Sequence, residues 1–400
     1  MKALAVFMCR ITLAVVMVAS ASVLLAGRAF AQEDRGEEPE SGAVYVLANQ
    51  LTGNTVVVLH RGRDGVITRV QEVSTGGLGS GPGPLPPGFG DGPGPDPLNS
   101  ADALKMTEDG RWLLAVNAGS NELSVLAVTH NGLRLVDKVS SGGEFPVSVT
   151  SHRGLIYVLN QRGVPNITGF HLGPSGKLHR IANSTRPIGA PGSAPGEVSL
   201  TPDGDLLIVA ETLADFIDVF QVEDNGLLSS PVRFASNNKT PLAISYTRHH
   251  ILAITEGDNL RPQQGTPHGS STSTYRITDD GTLEPISKAI GNDQTATCWI
   301  RFSRNGHFVF TGNTGSGSIS SYRVSHNGEL TLLAGIAADT GGPASVPIDL
   351  DITPDGRYIY VLASLAGTVK GYRVDESNGS LTFVSSVSGL PITMQGIVAR

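Results

Sequence analysis

The stretch Thr353-Pro354-Asp355-Gly356, followed by Arg357-Tyr358-Ile359-Tyr360-Val361-Leu362, decides how this chain folds. After it come a Gly-bearing turn at Gly367 and the run Thr368 to Val374. A second turn at Asn378-Gly379 and the run Leu381 to Val387 complete the unit. Tyr358, Ile359, Tyr360 and Val361 are aromatic or β-branched, and such side chains fit a pleated, half-buried surface. Tyr372 and Val374 share one face while Arg373 and Asp375 share the other, a period of two. Asp-Gly and Asn-Gly supply the positive φ that a tight hairpin turn demands.

The unit recurs. Asp109-Gly110, Asp203-Gly204 and Asn305-Gly306 repeat the first turn. Asp64-Gly65, Asn131-Gly132, Ser175-Gly176, Asn225-Gly226, Asp280-Gly281 and Asn327-Gly328 repeat the second, at a spacing of roughly 44 to 67 residues. One copy holds about four strands and cannot bury both sheet faces by itself, so copies must stack. The expected fold is all-β: a seven-bladed β-propeller of four-stranded antiparallel sheets over residues 43–400. The first copy lacks a leading strand and the last is followed by a spare one. Gln395–Val398 is therefore expected to join Val44–Asn49 and close the ring, since an open ring would leave bare strand edges.

With 49 Gly, 24 Pro and 16% charged residues, the chain is turn-rich, and no long helical pattern is present. Residues 1–31 read as a signal peptide. Lys2 and Arg10 precede the apolar run Ile11 to Ala26, and Ala29-Phe30-Ala31 offers a cleavage site before Gln32. Removing them removes Lys2, Arg10 and Arg28 from the 29 basic residues and none of the 36 acids. The formal net charge thus falls from −7 to −10. Such a chain is a poor match to nucleic acid. No later run is long enough to span a membrane, which points to an exported, periplasmic or extracellular monomer. Residues 32–42 form an acidic leader that reads as a solvated, disordered tether. Cys9 leaves with the signal and Cys298 stands alone, so no internal disulfide is possible. Beside Trp299 in an apolar strand, Cys298 reads as a buried side chain.

Residues 76–99 interrupt the first linker with Gly81-Pro82-Gly83-Pro84, Pro86-Pro87 and Gly92-Pro93-Gly94-Pro95. Proline donates no ladder hydrogen bond, so this is a loop, either a plain surface insertion or a lid over the channel.

Propeller ligands meet the central channel, so the inner strands nominate the candidates. The ends of the second strands carry Asn49, Asn117, Asn160, Glu211, Glu256, Asn313 and Ala363. The matching first-strand places carry Ala103, Ser148, Glu197, Ala243, Trp299 and Asp349. An Asn at a strand end also serves to cap the following turn. Carboxylates there are more telling, because they are costly unless solvated, paired or coordinating. These places hold several acids and no Arg or Lys, which favours a cation, a polyol or a neutral lactone. Glu197, Glu211 and Asp349 are expected to share a bound cation such as calcium, or a ligand hydroxyl. His249-His250 falls at a hairpin tip, and His268 has no adjacent partner.

With the repeats laid out, the chain resembles the seven-bladed β-propeller lactonase family, which includes bacterial 6-phosphogluconolactonases and fungal carboxymuconate lactonising enzymes. The resemblance rests on the Thr-Pro-Asp-Gly turns, on Arg357-Tyr358-Ile359-Tyr360-Val361, and on Ile319-Ser320-Ser321-Tyr322-Arg323-Val324 followed by Asn-Gly and Glu329-Leu330-Thr331. In the family pattern an inner strand opens with Pro-Arg-His and the next strand ends in Asn-Glu-Leu. Here those places hold Pro195-Gly196-Glu197 and Glu211-Thr212-Leu213. The resemblance thus implies the fold and leaves two functions open. One is a propeller that binds a small molecule or a protein partner at the channel mouth. The other is a hydrolase of a neutral lactone, with Glu211 or Glu256 as general base and Asn117 or Asn160 as oxyanion donors.

Overall fold

Each Asp-Gly turn folds through its own side chains. In the computed structural model the Asp355 carboxylate accepts from Thr353 Oγ1 at 2.5 Å and from the Arg357 amide at 3.1 Å. Thr353 Oγ1 in turn accepts from the Tyr358 amide at 3.1 Å, and Gly356 sits at φ 77°. Thr201 with Asp203, Thr107 with Asp109 and Ser303 with Asn305 repeat the pattern. The structure describes residues 41–84, 93–94, 96–190, 192–247, 250–257 and 269–400. The expected signal peptide, nearly all of the acidic leader, the middle of the 76–99 insertion, His249 and His268 lie outside them.

Seven antiparallel blades result, as the turns predict, and within the 76–99 insertion, read from sequence as a loop, Gly83–Pro84 pairs with Pro93–Gly94 as a small separate sheet. Blade 1 pairs Gln395–Ala399 with Gly42–Leu47, Thr55–Arg61 and Ile67–Ser74. Blade 2 is Leu104–Met106, Trp112–Asn117, Glu122–Thr129 and Gly132–Ser140. Blade 3 is Glu144–His152, Leu155–Arg162, Asn166–Leu172 and Leu178–Arg180, with Arg186–Pro187 added beside its third strand. Blade 4 is Pro195–Leu200, Leu206–Glu211, Phe216–Gln221 and Val232–Ala235. Blade 5 is Pro241–Tyr246, Ile251–Glu256, Ser271–Ile277 and Leu283–Gly291. Blade 6 is Thr297–Phe302, Phe308–Asn313, Ser318–Val324 and Leu330–Asp339. Blade 7 is Pro347–Ile352, Tyr358–Ala363, Thr368–Val374 and Leu381–Val387.

The ring closes as expected. Tyr45 lies opposite Val398 and Val46 opposite Ile397, with the register slipping before Leu47. Blade-to-blade packing buries the apolar faces. Tyr157, Trp299, Tyr322 and Tyr360 are wholly inside. The second-turn glycines dock on the neighbouring blade. A Cβ on Gly65 would come within 2.3 Å of the Tyr358 ring, and one on Gly176 within 2.5 Å of Trp112. The Tyr360 hydroxyl donates to the Gly65 carbonyl at 2.7 Å, and that of Tyr157 to Gly226 at 2.9 Å. Each repeat's second turn is thus a contact for the preceding repeat.

Innermost strands have one unpaired edge facing the axis, and its amides need partners. Side chains of the preceding blade supply them. Ser148 and Thr150 accept from the Val198 and Leu200 amides at 3.3 and 3.0 Å. Glu197 accepts from Ile244 at 2.7 Å and Ser245 from Phe302 at 3.1 Å. Asp349 and Asp351 accept from Ile397 and Ala399 at 3.1 and 2.9 Å. These six bonds latch neighbouring inner strands together and place acids beside the axis.

Candidate functional site

The channel has two faces. The loop face carries the starts of the inner strands and the ends of the second strands. The turn face carries the Asp-Gly turns.

At the loop face the asparagines nominated from sequence are buried caps. Asn117 accepts from Thr75 Oγ1 at 2.6 Å and from Asn54 at 3.0 Å, and donates to Ser124 at 2.7 Å. Asn160 donates to the Ser141 carbonyl and to Asn166. Asn313 joins Asn292, Thr297, Ser318 and Ser320. Asn49 bonds both the amide and the hydroxyl of Ser80. Glu256 plays the same part with a carboxylate. It accepts from Ser236 at 3.0 Å, Asn238 N at 3.1 Å, Ser271 at 2.5 Å and Ser273 at 2.9 Å. Burial raises its proton affinity although these donors oppose the rise.

Glu211 differs. It is fully buried, and neither carboxylate oxygen makes a hydrogen bond of ordinary geometry. Burial lifts its pKa, the nearby Ser193 hydroxyl pulls it back, and the buried Asp218 pushes it up again. Asp218 is clasped by Arg233 through two bonds of 2.7 Å. Glu211 therefore sits in a separate electrostatic neighbourhood from Glu197 and Asp349.

Residues 96–101 cover the loop-face end of the axis. Leu98, Ser100 and Ala101 are buried there. The Ala101 amide donates to the Gly196 carbonyl at 3.1 Å, and Ser100 Oγ to the Val147 carbonyl at 2.8 Å. Across the axis Trp299 Nε1 points at the Ser100 carbonyl at 3.4 Å. A Cβ on Gly196 would stand 2.6 Å from Thr212 Oγ1 and 3.3 Å from the Asn99 carbonyl. The backbone of the insertion thus fills the space in front of that inner-strand start. Cys298, beside Trp299, is a buried thiol whose pKa burial raises.

Glu197 and Asp349 meet deeper in the channel, around a group that the nominated positions did not include. Arg301 on blade 6 donates from Nη2 to Asp102 of blade 2 at 2.7 Å and from Nε to Asp351 of blade 7 at 3.1 Å. Lys105 pairs with the other oxygen of Asp102. The expectation that the inner strands bring no Arg or Lys to the channel is therefore corrected. Lys105, Arg301 and Asp351 stand two residues beyond Ala103, Trp299 and Asp349, so the period of two puts them on the same face. Extending each nominated position by one strand repeat would have found them.

The cluster sorts its protons unevenly. Burial works against the charge of Asp102, yet Lys105 and Arg301 hold its carboxyl below the usual range. Burial pushes Asp349 up to about 7, Arg301 pulls it down and Asp102 pushes it up. Glu197 rises well above its ordinary value through burial and then through Asp102, and its Oε1 has no partner. Among the described residues no three His, Cys, Asp or Glu side chains converge as metal ligands.

The turn-face mouth is open. A pocket of 410 Å³ reaches Asp102, Lys105 and Arg301 from the blade 2 side. One of 440 Å³ reaches Arg301 from the blade 6 side, over Tyr246, Phe302 and Ile352. Arg301 and Asp351 belong to both. Such volumes suit small molecules.

A 6-phosphogluconolactonase of Xenorhabdus nematophila is 22% identical over 294 residues, covering 63% of this chain and 87% of that protein. The crystal structure of a putative 6-phosphogluconolactonase from Bacteroides uniformis superposes with TM-score 0.66 and 18% identity, covering 89% of this chain and 99% of the other. The periplasmic gluconolactonase of Pseudomonas aeruginosa gives TM-score 0.63 and 16% identity, covering 90% and 99%. At these identities the structural likeness speaks for the fold. The family model described as lactonase, 7-bladed β-propeller matches residues 38–192, 231–347 and 270–395. On those matches and on its seven blades, this chain belongs to the seven-bladed β-propeller lactonase family.

Proposed function

We propose that this chain is an exported lactonase-family propeller that binds a small, oxygen-rich molecule at the turn-face mouth and does not hydrolyse lactones at its loop face. The carrying observation is Gly196. The family pattern has Arg there, whereas here a bare backbone is packed by Asn99 and Ala101. The chemistry around it points the same way. The amides of Asn117 and Asn160 are spent in buried networks, so neither is poised to stabilise an oxyanion. Glu256 is surrounded by donors that would oppose its taking a proton from water. Export agrees with the apolar run at residues 11–26, and a periplasmic gluconolactonase stands among the structural relatives.

A second reading, hydrolysis of a neutral lactone, rests on Glu211. A buried carboxylate without a bond of ordinary geometry and with a raised pKa is a candidate general base. Purified protein offered a panel of neutral lactones separates the two. Binding without hydrolysis predicts no turnover above the spontaneous rate, in wild type and Glu211→Gln alike. Turnover that Glu211→Gln abolishes while the fold persists would establish the hydrolase instead.

A further inference from the structure

We infer that the turn-face mouth selects a carboxylate or similar anionic oxygen group, although acids outnumber bases around the axis. The inference rests on the proposed binding at this mouth and names the chemistry recognised.

Every acid facing the blade 2 pocket already takes bonds within the fold, and the two beside Arg301 take one on each oxygen. Asp102 gives one oxygen to Arg301 and the other to Lys105. Asp351 gives Oδ1 to Arg301 and Oδ2 to the Ala399 amide. Glu108 takes His152 Nδ1 at 2.6 Å and the Arg153 amide at 3.3 Å. Asp109 is turned into its own loop by Thr107 and the Arg111 amide.

The cations are not used up. A guanidinium has five N–H donors and an ammonium three. Arg301 spends one each on Asp102, Asp351 and the Ile300 carbonyl at 3.0 Å, which leaves two. Lys105 spends one on Asp102, which leaves two. Their side chains are 14% and 31% exposed, and both line the pocket. Arg400, also on its wall, spends one N–H on the Gly110 carbonyl at 2.9 Å.

The charges agree with the donor count. Asp102 and Asp351 balance Arg301 and Lys105, while burial favours the neutral forms of Glu197 and Asp349. What remains for a ligand beside Arg301 and Lys105 is a surface of charged N–H groups whose facing carboxylates, Asp102 and Asp351, are already bonded, with Asp109 Oδ2 an exposed acceptor at the rim. An anionic oxygen answers it with charge-assisted bonds, and a guanidinium beside an ammonium suits the planar, two-oxygen carboxylate.

The test is calorimetric titration of the full protein with gluconate and with sorbitol, which share a six-carbon polyol frame and differ by one carboxylate. Gluconate is expected to bind and sorbitol to bind at least about tenfold more weakly, the worth of one charge-assisted bond. Lys105→Met should weaken gluconate by a similar factor, while Lys105→Arg, which keeps the charge, should restore it. If sorbitol binds as tightly as gluconate, the mouth still binds but the anion preference is wrong. The same holds if a folded Lys105→Met protein binds gluconate unchanged. If neither compound nor a lactone binds, the binding reading itself fails along with it. Should Lys105→Met not fold, the gluconate and sorbitol comparison on wild type decides alone.

Discussion

Asp349 carries two duties at once. It latches the last inner strand to the Ile397 amide, and it is an acid held at about 7 by burial. Its unfolded value would lie near 3.9. Between those values the folded state binds more protons than the unfolded one, so stability must fall as pH rises from about 4 to about 7. Below about 4 this contribution is complete. Glu197 acts with the same sign, whereas Asp102, lowered by its cations, acts the opposite way only in acid. Melting temperatures across pH 4.5 to 8 should therefore decline, and Asp349→Asn should flatten the slope by something on the order of a few kcal/mol at most. An unchanged slope in that variant would place the titration elsewhere. The acid was legible in the sequence because a carboxylate on an inner strand is conspicuous. Its cationic partner was not. Arg301 reads as an ordinary strand residue until Asp102, 199 positions away, is folded across the axis from it.

Among elements, the turns were the most legible and the edges the least. Thr-Pro-Asp-Gly announces itself, because the side chains that close the turn lie within five residues of one another. The latches between inner strands join residues 47 to 57 apart, so no local pattern reports them. The anchored ends of the 76–99 insertion were equally hidden. Gly79 and Gly81 donate to the Gln50 and Asn49 carbonyls, and Leu98 is buried, so its described ends are fastened to the propeller. The closing strand makes a sharp prediction. Gln395–Ala399 supplies buried Ile397, Val398 and Ala399 and satisfies both Asp349 and Asp351. Burying an Ile or Val side chain is worth about 1.5–3 kcal/mol, and whole domains hold only about 5–15. Deleting residues 395–400 should therefore cost most of the cooperative melt seen by circular dichroism. A truncated chain melting within a few degrees of the full one would mean that closure adds little.

For the whole molecule, the closed ring must hold without a covalent clasp, and that bears on where it can live. Cys298 is buried in the inner strand of blade 6, and the only other cysteine, Cys9, lies in the apolar leader. Oxidising compartments usually reward small secreted domains with disulfides, but a ring of this size can bury enough surface without them. Export is thus physically compatible with the fold. Among the described residues no helix is long and apolar enough to cross a membrane, and the run at residues 11–26 is proposed as the leader of an exported chain. The small residues at Ala29 and Ala31 then fix the expected cut before Gln32. Loss of Lys2, Arg10 and Arg28 takes the formal net charge from −7 to −10, which a shift in isoelectric point would register. Intact-mass analysis of the periplasmic or secreted fraction should find a chain beginning at Gln32, with a melting temperature that reductant leaves unmoved. A chain retaining Met1, recovered with membranes, would overturn the cleavage and make residues 1–31 an anchor.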